Sequence, residues 1–474
     1  MLFPTIDFAI FFAAAFTANW VLNPYPRLWR VAMITASYVF YSWWDWRFVF
    51  LLAAATVIAQ AGAISVHRLK SRRQRRAALA LSVGALLGLL GWFKYYGFLA
   101  VNVDNLFHGV GAGRLMPLME VTLPVGISFF TFMAVSYVVD VYRGHLSPAR
   151  HADLALYLSF FPHLVAGPIV RGSELLPQIR GKRDPRHIDF SRAVWLIVAG
   201  LFKKVVVSSY LSTAIVNPVF GSPHQHSALE ILFAVYGYAI EIYADFSGYT
   251  DIAIGCALLL GFRFPENFNA PYTATNLQGF WRRWHMTLSR WLRDYLYVPL
   301  GGNRGSQLRL ARNIMITMVL GGLWHGAAWT FVAWGAIHGG GQVIGHWRRT
   351  RREAAGLEPV CQSGARAVLA RVATFHVVCL GWIFFRADSV SSAFTIIGRL
   401  FTAWGSARLV TPLLVLTIVG MIGAQYVSRD LVEKILVGFA RQKVAVQGAI
   451  LGVILLAITT LGPQGVAPFI YYRF

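Results

Sequence analysis

Charged side chains are scarce in this sequence. Only 13% of its 474 residues are Asp, Glu, Lys or Arg, whereas 57% are hydrophobic, and a soluble globular domain carries roughly 25% charged residues. A soluble chain of this length would divide into domains, each covered by a polar surface. The composition therefore excludes a soluble protein and a disordered chain, and it indicates a polytopic membrane protein.

Cysteine and acidic residues are also few. The three cysteines (Cys256, Cys361 and Cys379) form no CxxC pair and have no metal-ligand spacing, which excludes a disulfide framework and argues against a cysteine metal site. The 20 acidic residues stand against 43 Lys and Arg, a formal net charge of +23. A membrane protein this basic must concentrate its positive charge in particular segments, and their positions indicate its topology.

Long apolar runs supply the candidate crossings. A helix needs about 20 predominantly apolar residues to cross a bilayer. Ten segments meet this requirement, at residues 4–23, 28–45, 47–66, 77–98, 121–141, 190–214, 228–248, 366–386, 410–428 and 445–463. The first lacks a basic start and an A-x-A-like cleavage site, so we expect a retained span rather than a signal peptide.

The basic residues sort to one side of these crossings. Short loops rich in Lys and Arg mark the cytoplasm, and the strongest one, from Arg68 to Arg76, follows the third span. Further basic stretches fall on the same side, at residues 171–192, 262–312, 346–352 and 429–443. The count predicts that both termini lie outside.

Two apolar segments do not fit as full crossings. Residues 153–170 are interrupted by Pro162, Gly167 and Pro168. Residues 313–345 would give roughly 50 Å of helix, less than two crossings need, so we expect a re-entrant hairpin with His325 near its tip. Because irregular backbone at membrane depth requires a surrounding cavity, and an ionisable residue there is a functional candidate, His325 becomes the first site residue. The alternative is a buried histidine that is bonded to a carbonyl group.

The cytoplasmic segment 262–312 is too long and too aromatic for a plain loop. Helical spacing aligns four of its side chains in one stripe, Trp284, Leu288, Trp291 and Tyr295. This pattern predicts a helix at the membrane interface, with its aromatic side chains toward lipid and its arginines toward headgroups. Alternatively, three of its arginines could attract a phosphorylated substrate: Arg283, Arg290 and Arg293.

Carboxylates gather near the end of the span 228–248. Glu241 and Asp245 are four residues apart and share a helix face, and Asp251 follows. Buried carboxylates need partners. We expect either a structural ion pair or contacts with cytoplasmic arginines or a catalytic histidine.

Several blocks of the sequence resemble the membrane-bound O-acyltransferases, within them the bacterial branch of alginate O-acetylation and teichoic acid D-alanylation. They are LPVGISFFTFMAVSYVVDVYRG (123–144), FFPHLVAGPIVR (160–171), YADFSGYTDIAIG (243–255), NFNAPYTATNLQGFWRRWHMTLSRWLRDYLYVPLGGNR (267–304), GGLWHGAAWTFVAWGAIHG (321–339) and FIYYRF (469–474). The resemblance extends from about residue 120 to the end. One departure is Met133, where the family often has His.

The resemblance implies an all-α fold of about ten tilted transmembrane helices, with re-entrant hairpins and interfacial helices around a central funnel. It implies one membrane-embedded domain over residues 1–474, with N-terminal helices in 1–120, a catalytic core in 121–346 and C-terminal helices in 366–474. The core would contain the interfacial segment 262–312 and the hairpin 313–345. The family's active histidine corresponds to His325 and a second family position to His285.

The implied reaction is acyl transfer from a cytoplasmic donor to a hydroxyl group presented from the other face of a bacterial inner membrane. His325 is expected to act as general base and His285 to orient the acyl carbonyl or stabilise the oxyanion. Further candidates for substrate or donor binding are Trp284, Arg283, Asp245, Asp294 and Trp324. The expected co-substrate is acetyl-CoA or another acyl-CoA, with no bound cofactor, no metal and no nucleic-acid partner. Expected partners are an extracytoplasmic polysaccharide, a secreted acyltransferase protein, or both.

Two other functions remain open from the sequence. One is a transporter of polysaccharide or lipid-linked substrates that uses buried histidine and carboxylates as a proton relay, although no paired broken helices are evident. The other is a structural scaffold, which would tolerate substitution of both histidines. The acceptor is not determined by the sequence.

Overall fold

The computed structural model describes residues 1, 3–108, 117, 119, 121–357 and 363–462. Their regular structure is helical, without a strand in these ranges, which confirms the predicted all-α class. The closing motif 469–474 and Cys361 lie outside the described residues. Packing divides the chain into two compact units, Met1–Ala193 with Ala253–Pro265, and Val194–Ile252 with the chain from Glu266 onward. The single domain implied by the resemblance stays a prediction.

The first unit is built from long helices and a buried, broken segment. Its helices are Ile6–Val21, Pro26–Ser42, Phe48–Arg68, Arg72–His108, Ile127–Arg143, His151–Ser159, Phe161–Leu164 and Gly172–Arg180, followed by a 3₁₀ turn at Pro185–His187. The break predicted within residues 153–170 is present, because helix His151–Ser159 ends before Phe160 and a short turn follows. Asp153 is buried there and accepts from Arg30 at 2.8 Å and from Arg180 at 3.1 Å.

The second unit carries the candidate site. Its α-helices, together with the two that continue from or into the first unit, are Phe190–Leu201, Ser209–Leu211, Asn217–Gly221, Ala228–Leu259, Leu277–Trp281, Met286–Leu292, Gln307–His325, Trp329–Ala354, Gly364–Arg386, Val390–Thr402, Pro412–Ala424, Arg429–Ala440 and Val444–Leu461. Three π-helical stretches are Phe202–Ser208, Ser212–Val216 and Arg293–Tyr297. The 3₁₀ turns are Pro223–Gln225 and Pro271–Thr273.

Each of the ten predicted crossings overlaps a helix. Within the described ranges, five helices are long and apolar enough to cross a membrane, namely Phe48–Arg68, Arg72–His108, Phe190–Gly221, Gly364–Arg386 and Val444–Leu461. The pair Pro412–Ala424 and Arg429–Ala440, bent by 94°, would be a sixth if it forms one broken span. Several apolar helices are confirmed, whereas the count of ten stays a prediction.

The predicted hairpin 313–345 corresponds to a pair of helices, which extends beyond both predicted boundaries. The first arm helix (Gln307–His325) and the second arm helix (Trp329–Ala354) contain 19 and 26 residues and are separated only by residues 326–328. They measure about 28 and 39 Å at 1.5 Å per residue. The length argument for a re-entrant hairpin therefore does not hold, whereas His325 does end the first arm.

The prediction of a single interfacial helix around Trp284 is wrong. The chain forms two short helices, Leu277–Trp281 and Met286–Leu292, with a break over residues 282–285 that includes Trp284 and His285. Trp284 is 1% exposed and Leu288 is fully buried. The stripe packs inside the protein because nearby aromatic rings cover it, including those of Phe280 and Trp382 at 5.6 and 5.0 Å from Trp284.

Candidate active site

The two arm helices approach each other through glycine. A Cβ atom on Gly322 would lie 2.2 Å from the carbonyl oxygen of Phe331, and one on Gly335 would lie 2.5 Å from that of Met318. Side chains at either position would force the helices apart. The glycines of the sequence block 321–339 therefore explain why the arms pack tightly and why the chain can turn directly after His325.

His325 is 2% exposed and lies among aromatic rings. Its ring centroid is 5.0 Å from those of Trp324 and Trp334 and 5.3 Å from that of Phe385. These rings exclude bulk water, and exclusion of water strengthens electrostatic interactions inside a site.

His285 occupies the break between the two short helices. Its φ and ψ of 42° and 54° are left-handed, a conformation that costs a non-glycine residue free energy and is found mainly at turns and functional sites. The carbonyl oxygen of Asn267 accepts from the Met286 N–H at 2.9 Å, and its side-chain oxygen accepts from the Thr287 N–H at 3.1 Å. Asn267 thus stabilises the bend by accepting from the two residues that follow His285.

The two sequence-predicted histidines come together. They are 40 residues apart in the chain, yet their ring centroids are 6.5 Å apart, and Trp324 lies 5.9 Å from the His285 ring. Phe246 covers His285 edge-on at 4.6 Å. Burial lowers the pKa of His285 to about 3, so its imidazole is neutral at pH 7.

A basic cavity of about 1530 Å³ lies within the same unit, and Met286, the residue after His285, lines it, whereas neither histidine does. Seven arginines line it: Arg282, Arg290, Arg293, Arg348, Arg349, Arg351 and Arg352. Glu353 is the one carboxylate among the described lining residues. Such a cavity favours an anion, and phosphate groups suit arginine especially well.

The cavity wall leads toward His325. Thr317 and Met318 line it, and His325 lies seven to eight residues farther along the same helix, about 11 Å away. Trp281 also lines it and packs against Trp334 at 5.6 Å, which in turn contacts His325. The Trp281 N–H donates to Nδ1 of His338 at 3.3 Å. The sequence had not singled out Trp281, Trp334 or His338 as site residues, because helical periodicity does not distinguish a cavity wall from core.

The other predicted donor-binding residues are placed apart from the cavity lining. Trp284 belongs to the aromatic core behind His285. Arg283 donates to the Asn269 carbonyl oxygen at 3.3 Å. Asp294 is bonded to its neighbour Arg293 at 2.7 Å, and only Arg293 of the two lines the cavity. Trp324, by contrast, lies beside both histidines.

Two carboxylates of the acidic cluster are paired with lysines. Asp245 is bonded to Lys204, which is fully buried, and Asp251 is bonded to Lys203. Both lysines lie in the π-helical stretch Phe202–Ser208. Charged residues inside a predicted apolar span were the signal available in the sequence. The structural ion pair is the alternative that this geometry supports.

An all-helical membrane protein with two neighbouring buried histidines and a cationic cavity in the same unit has the components of an acyl-transfer site. A family model for the membrane-bound O-acyltransferases matches residues 132–351. A probable alginate O-acetylase of Azotobacter vinelandii is 38% identical over 85% of this chain and 78% of its own length. The chain belongs to the membrane-bound O-acyltransferase family, and it is a multi-pass membrane O-acyltransferase.

Two further relatives differ in their named acceptors. A peptidoglycan O-acetyltransferase of Helicobacter pylori is 34% identical over 79% of this chain and 74% of its own length. A teichoic acid D-alanyltransferase of Streptococcus thermophilus is 29% identical over 55% of this chain and 68% of its own length. The relatives of this chain are thus named for different acceptors, so similarity to them does not identify one acceptor.

Proposed function

We propose that this protein transfers an acyl group, an acetyl group in the first instance, from a cytoplasmic acyl-CoA to a hydroxyl group of an extracytoplasmic polysaccharide or of a partner protein. The arginine-lined cavity, whose wall includes Met286 next to His285 and Thr317 of the helix that ends at His325, is the observation that carries this proposal. It provides positive charge for a phosphorylated thioester donor, and the buried histidines provide acid–base groups where the acyl carbon would lie.

The direction of transfer follows from the basic residues. The cavity includes Arg348, Arg349, Arg351 and Arg352 from the basic stretch 346–352, which is assigned to the cytoplasm on the positive-inside rule. The donor then enters from the cytoplasm and the acceptor from the opposite face of the inner membrane, with both termini outside.

The chemistry requires one group that accepts the hydroxyl proton and one that acts on the acyl carbonyl. The two ring centroids lie 6.5 Å apart, close enough for both imidazoles to act at one reaction centre. From the family resemblance we expect His325 to accept the proton and His285 to act on the carbonyl. Either assignment produces an acyl ester and free CoA thiol without a covalent acyl-enzyme intermediate.

Reconstituted vesicles test the proposal. Purified protein is incorporated into proteoliposomes, and radiolabelled acetyl-CoA is added from the basic face, with alginate and peptidoglycan fragments offered on the other. We expect ester-linked label on one acceptor for the wild type and none for His325→Ala. His187→Ala is the matched control, since this exposed histidine lies in the 3₁₀ turn Pro185–His187. Full transfer by His325→Ala, with its fold retained, would contradict the proposal.

Mass spectrometry of surface glycans identifies the acceptor. Glycans from cells with and without the gene are compared for acetyl esters, and a polymer that loses them is the acceptor. If no glycan changes and a secreted protein loses an acyl mark instead, the direct acceptor is that protein. Normal acylation with impaired glycan export would favour the transporter alternative.

A further inference from the structure

One tryptophan lies among the arginines of the basic cavity. Trp347 lines the cavity and belongs to the basic stretch 346–352 of the second arm helix. Of the tryptophan and tyrosine side chains that the structure describes on this wall, it is the most exposed, at 49%, whereas Trp281 is 6% exposed. The proposed acyl transfer gives the arginines a role but gives none to this ring.

Arg351 covers one face of the Trp347 indole. Its guanidinium carbon lies 4.3 Å from the ring centroid, as residues four apart are neighbours on a helix surface. A guanidinium over an indole face is a cation–π contact, which holds the ring in one orientation. Because Arg351 covers one face and about half of the residue's surface is still exposed, the opposite face is left for a ligand.

The cavity wall does not neutralise the positive charge around Trp347. Arg349 is used within the wall, where it donates to the Gln278 side chain at 3.1 Å and to Nδ1 of His346 at 2.8 Å. It also lies 3.9 Å from Glu353, which is the one carboxylate among the described lining residues. One carboxylate does not balance seven arginines, so the cavity stays cationic around the open indole face.

We propose that Trp347 stacks on the nucleotide base of the acyl donor, with the base on the indole face opposite Arg351 and the donor's phosphates on the surrounding arginines. This inference rests on the proposed acyl transfer and deepens it, since it identifies the donor as a thioester that carries a nucleotide. An aromatic face recognises a base, and arginine recognises phosphate. A pantetheine thioester on a carrier protein has a phosphate but no base.

The position of Trp347 along the helix suits such a donor. It lies 13 residues after Trp334, about 20 Å along the helix axis, and the ring centroids of Trp334 and His325 are 5.0 Å apart. An extended pantetheine arm with its pyrophosphate spans a distance of this size. The cavity volume of about 1530 Å³ also exceeds the roughly 300–1,000 Å³ of sites for drug-sized ligands.

Two donors that differ in the nucleotide test the assignment in proteoliposomes. Acetyl-CoA carries the base, whereas acetyl-phosphopantetheine has the same arm, thioester and one phosphate but no adenosine. Trp347→Ala should raise KM for acetyl-CoA by roughly 5- to 150-fold, the factor expected for the loss of one stacked base, with kcat unchanged. KM for acetyl-phosphopantetheine should not change in this variant.

Two further variants separate stacking from other roles of the ring. Trp347→Phe keeps an aromatic face and should retain most of the affinity for acetyl-CoA. Trp92→Ala removes a tryptophan of matched exposure, 50%, outside the cavity lining, and should leave KM for both donors unchanged. A tryptophan that only anchors the helix at the membrane interface would, when replaced by alanine, affect both donors equally. That result for Trp347→Ala, or an equal KM for both donors in the wild type, would overturn the proposal.

Binding of adenosine 3′,5′-bisphosphate tests the stacking without an assay of activity. This probe carries the base and phosphates but no thioester, and its Kd is measured by equilibrium dialysis with the purified protein. We expect it to bind the wild type, and we expect Trp347→Ala to bind it more weakly by the same factor as the rise in KM. Equal Kd values for both proteins, or no binding to the wild type, would contradict the assignment even where acetyl transfer occurs. Binding that depends on Trp347 in a protein without transfer activity would instead contradict the proposed acyl transfer.

Discussion

The imidazole ring centroids of His285 and His325 lie 6.5 Å apart with their planes tilted by 56°, and each residue lies at a break in helical structure. His285 adopts a left-handed conformation between two short helices, and His325 is the last residue of the first arm helix. Neither ring lies within a regular helix interior. The separation of the pair is therefore set by these two breaks.

The first prediction is that the two histidines act as a unit. Removing either one should lower the rate of acyl transfer by roughly 10²–10⁴-fold, and removing both should cost little more, because groups that serve one step are strongly non-additive. Single-turnover rates of His285→Ala, His325→Ala and the double variant check this. A double variant whose loss equals the product of the two single losses would show that the rings act independently.

The second prediction concerns the donor cavity. Replacing Arg348, Arg351 and Arg352 together with glutamine should raise KM for acetyl-CoA by about 10- to 100-fold for each lost charged hydrogen bond of 1.5–3 kcal/mol, with a smaller effect on kcat. KM for acetyl-pantetheine, which lacks the nucleotide phosphates, should rise much less. Arg366→Gln is the control, since Arg366 is exposed and outside the cavity lining. An equal rise in KM with both donors would exclude phosphate recognition in this cavity.

The third prediction addresses the wall between the cavity and His325. The Trp281 N–H donates to His338 at 3.3 Å, and Trp281 packs on Trp334, which contacts His325. Trp281→Phe and His338→Phe should each lower kcat/KM by about 2- to 10-fold, the equivalent of one net hydrogen bond of 0.5–1.5 kcal/mol. The double variant should lose no more than the worse single variant. Trp195→Phe, at a half-exposed tryptophan in helix Phe190–Leu201, is the control. Additive losses in the double variant would show that Trp281 and His338 act independently.

The sequence predicted the position of His325 better than the path of the chain around Trp284. A glycine-rich break interrupts an apolar segment at His325, and that break is where the first arm helix ends. The prediction of one continuous helix through Trp284 was wrong, because helical periodicity assumes continuous helical geometry. The hydrogen bonds of Asn267 impose a left-handed bend at His285. A single asparagine 18 residues upstream has no periodic signal.

Pairing across long sequence separations was also beyond the sequence. Lys203 and Lys204 lie more than 40 residues before Asp251 and Asp245, and the π-helical stretch Phe202–Ser208 that turns both lysines toward them has no recognised sequence pattern. The same holds for the seven arginines of the cavity, which come from separate segments. Sequence could identify them as basic loops but not as one surface.

The fourth prediction concerns the ion pair between Lys204 and Asp245. Lys204 is fully buried and Asp245 is 2% exposed, and the Ser208 hydroxyl also donates to the Asp245 carboxylate at 3.2 Å. Lys204→Met would leave this carboxylate without its lysine and should lower stability by roughly 3–5 kcal/mol. Adding Asp245→Asn removes the uncompensated charge, so the double variant should recover much of the loss. Thermal unfolding in detergent, with Lys434→Met in helix Arg429–Ala440 as an exposed control, measures both. A double variant that is less stable than Lys204→Met would show that Asp245 stabilises the protein through contacts other than this lysine.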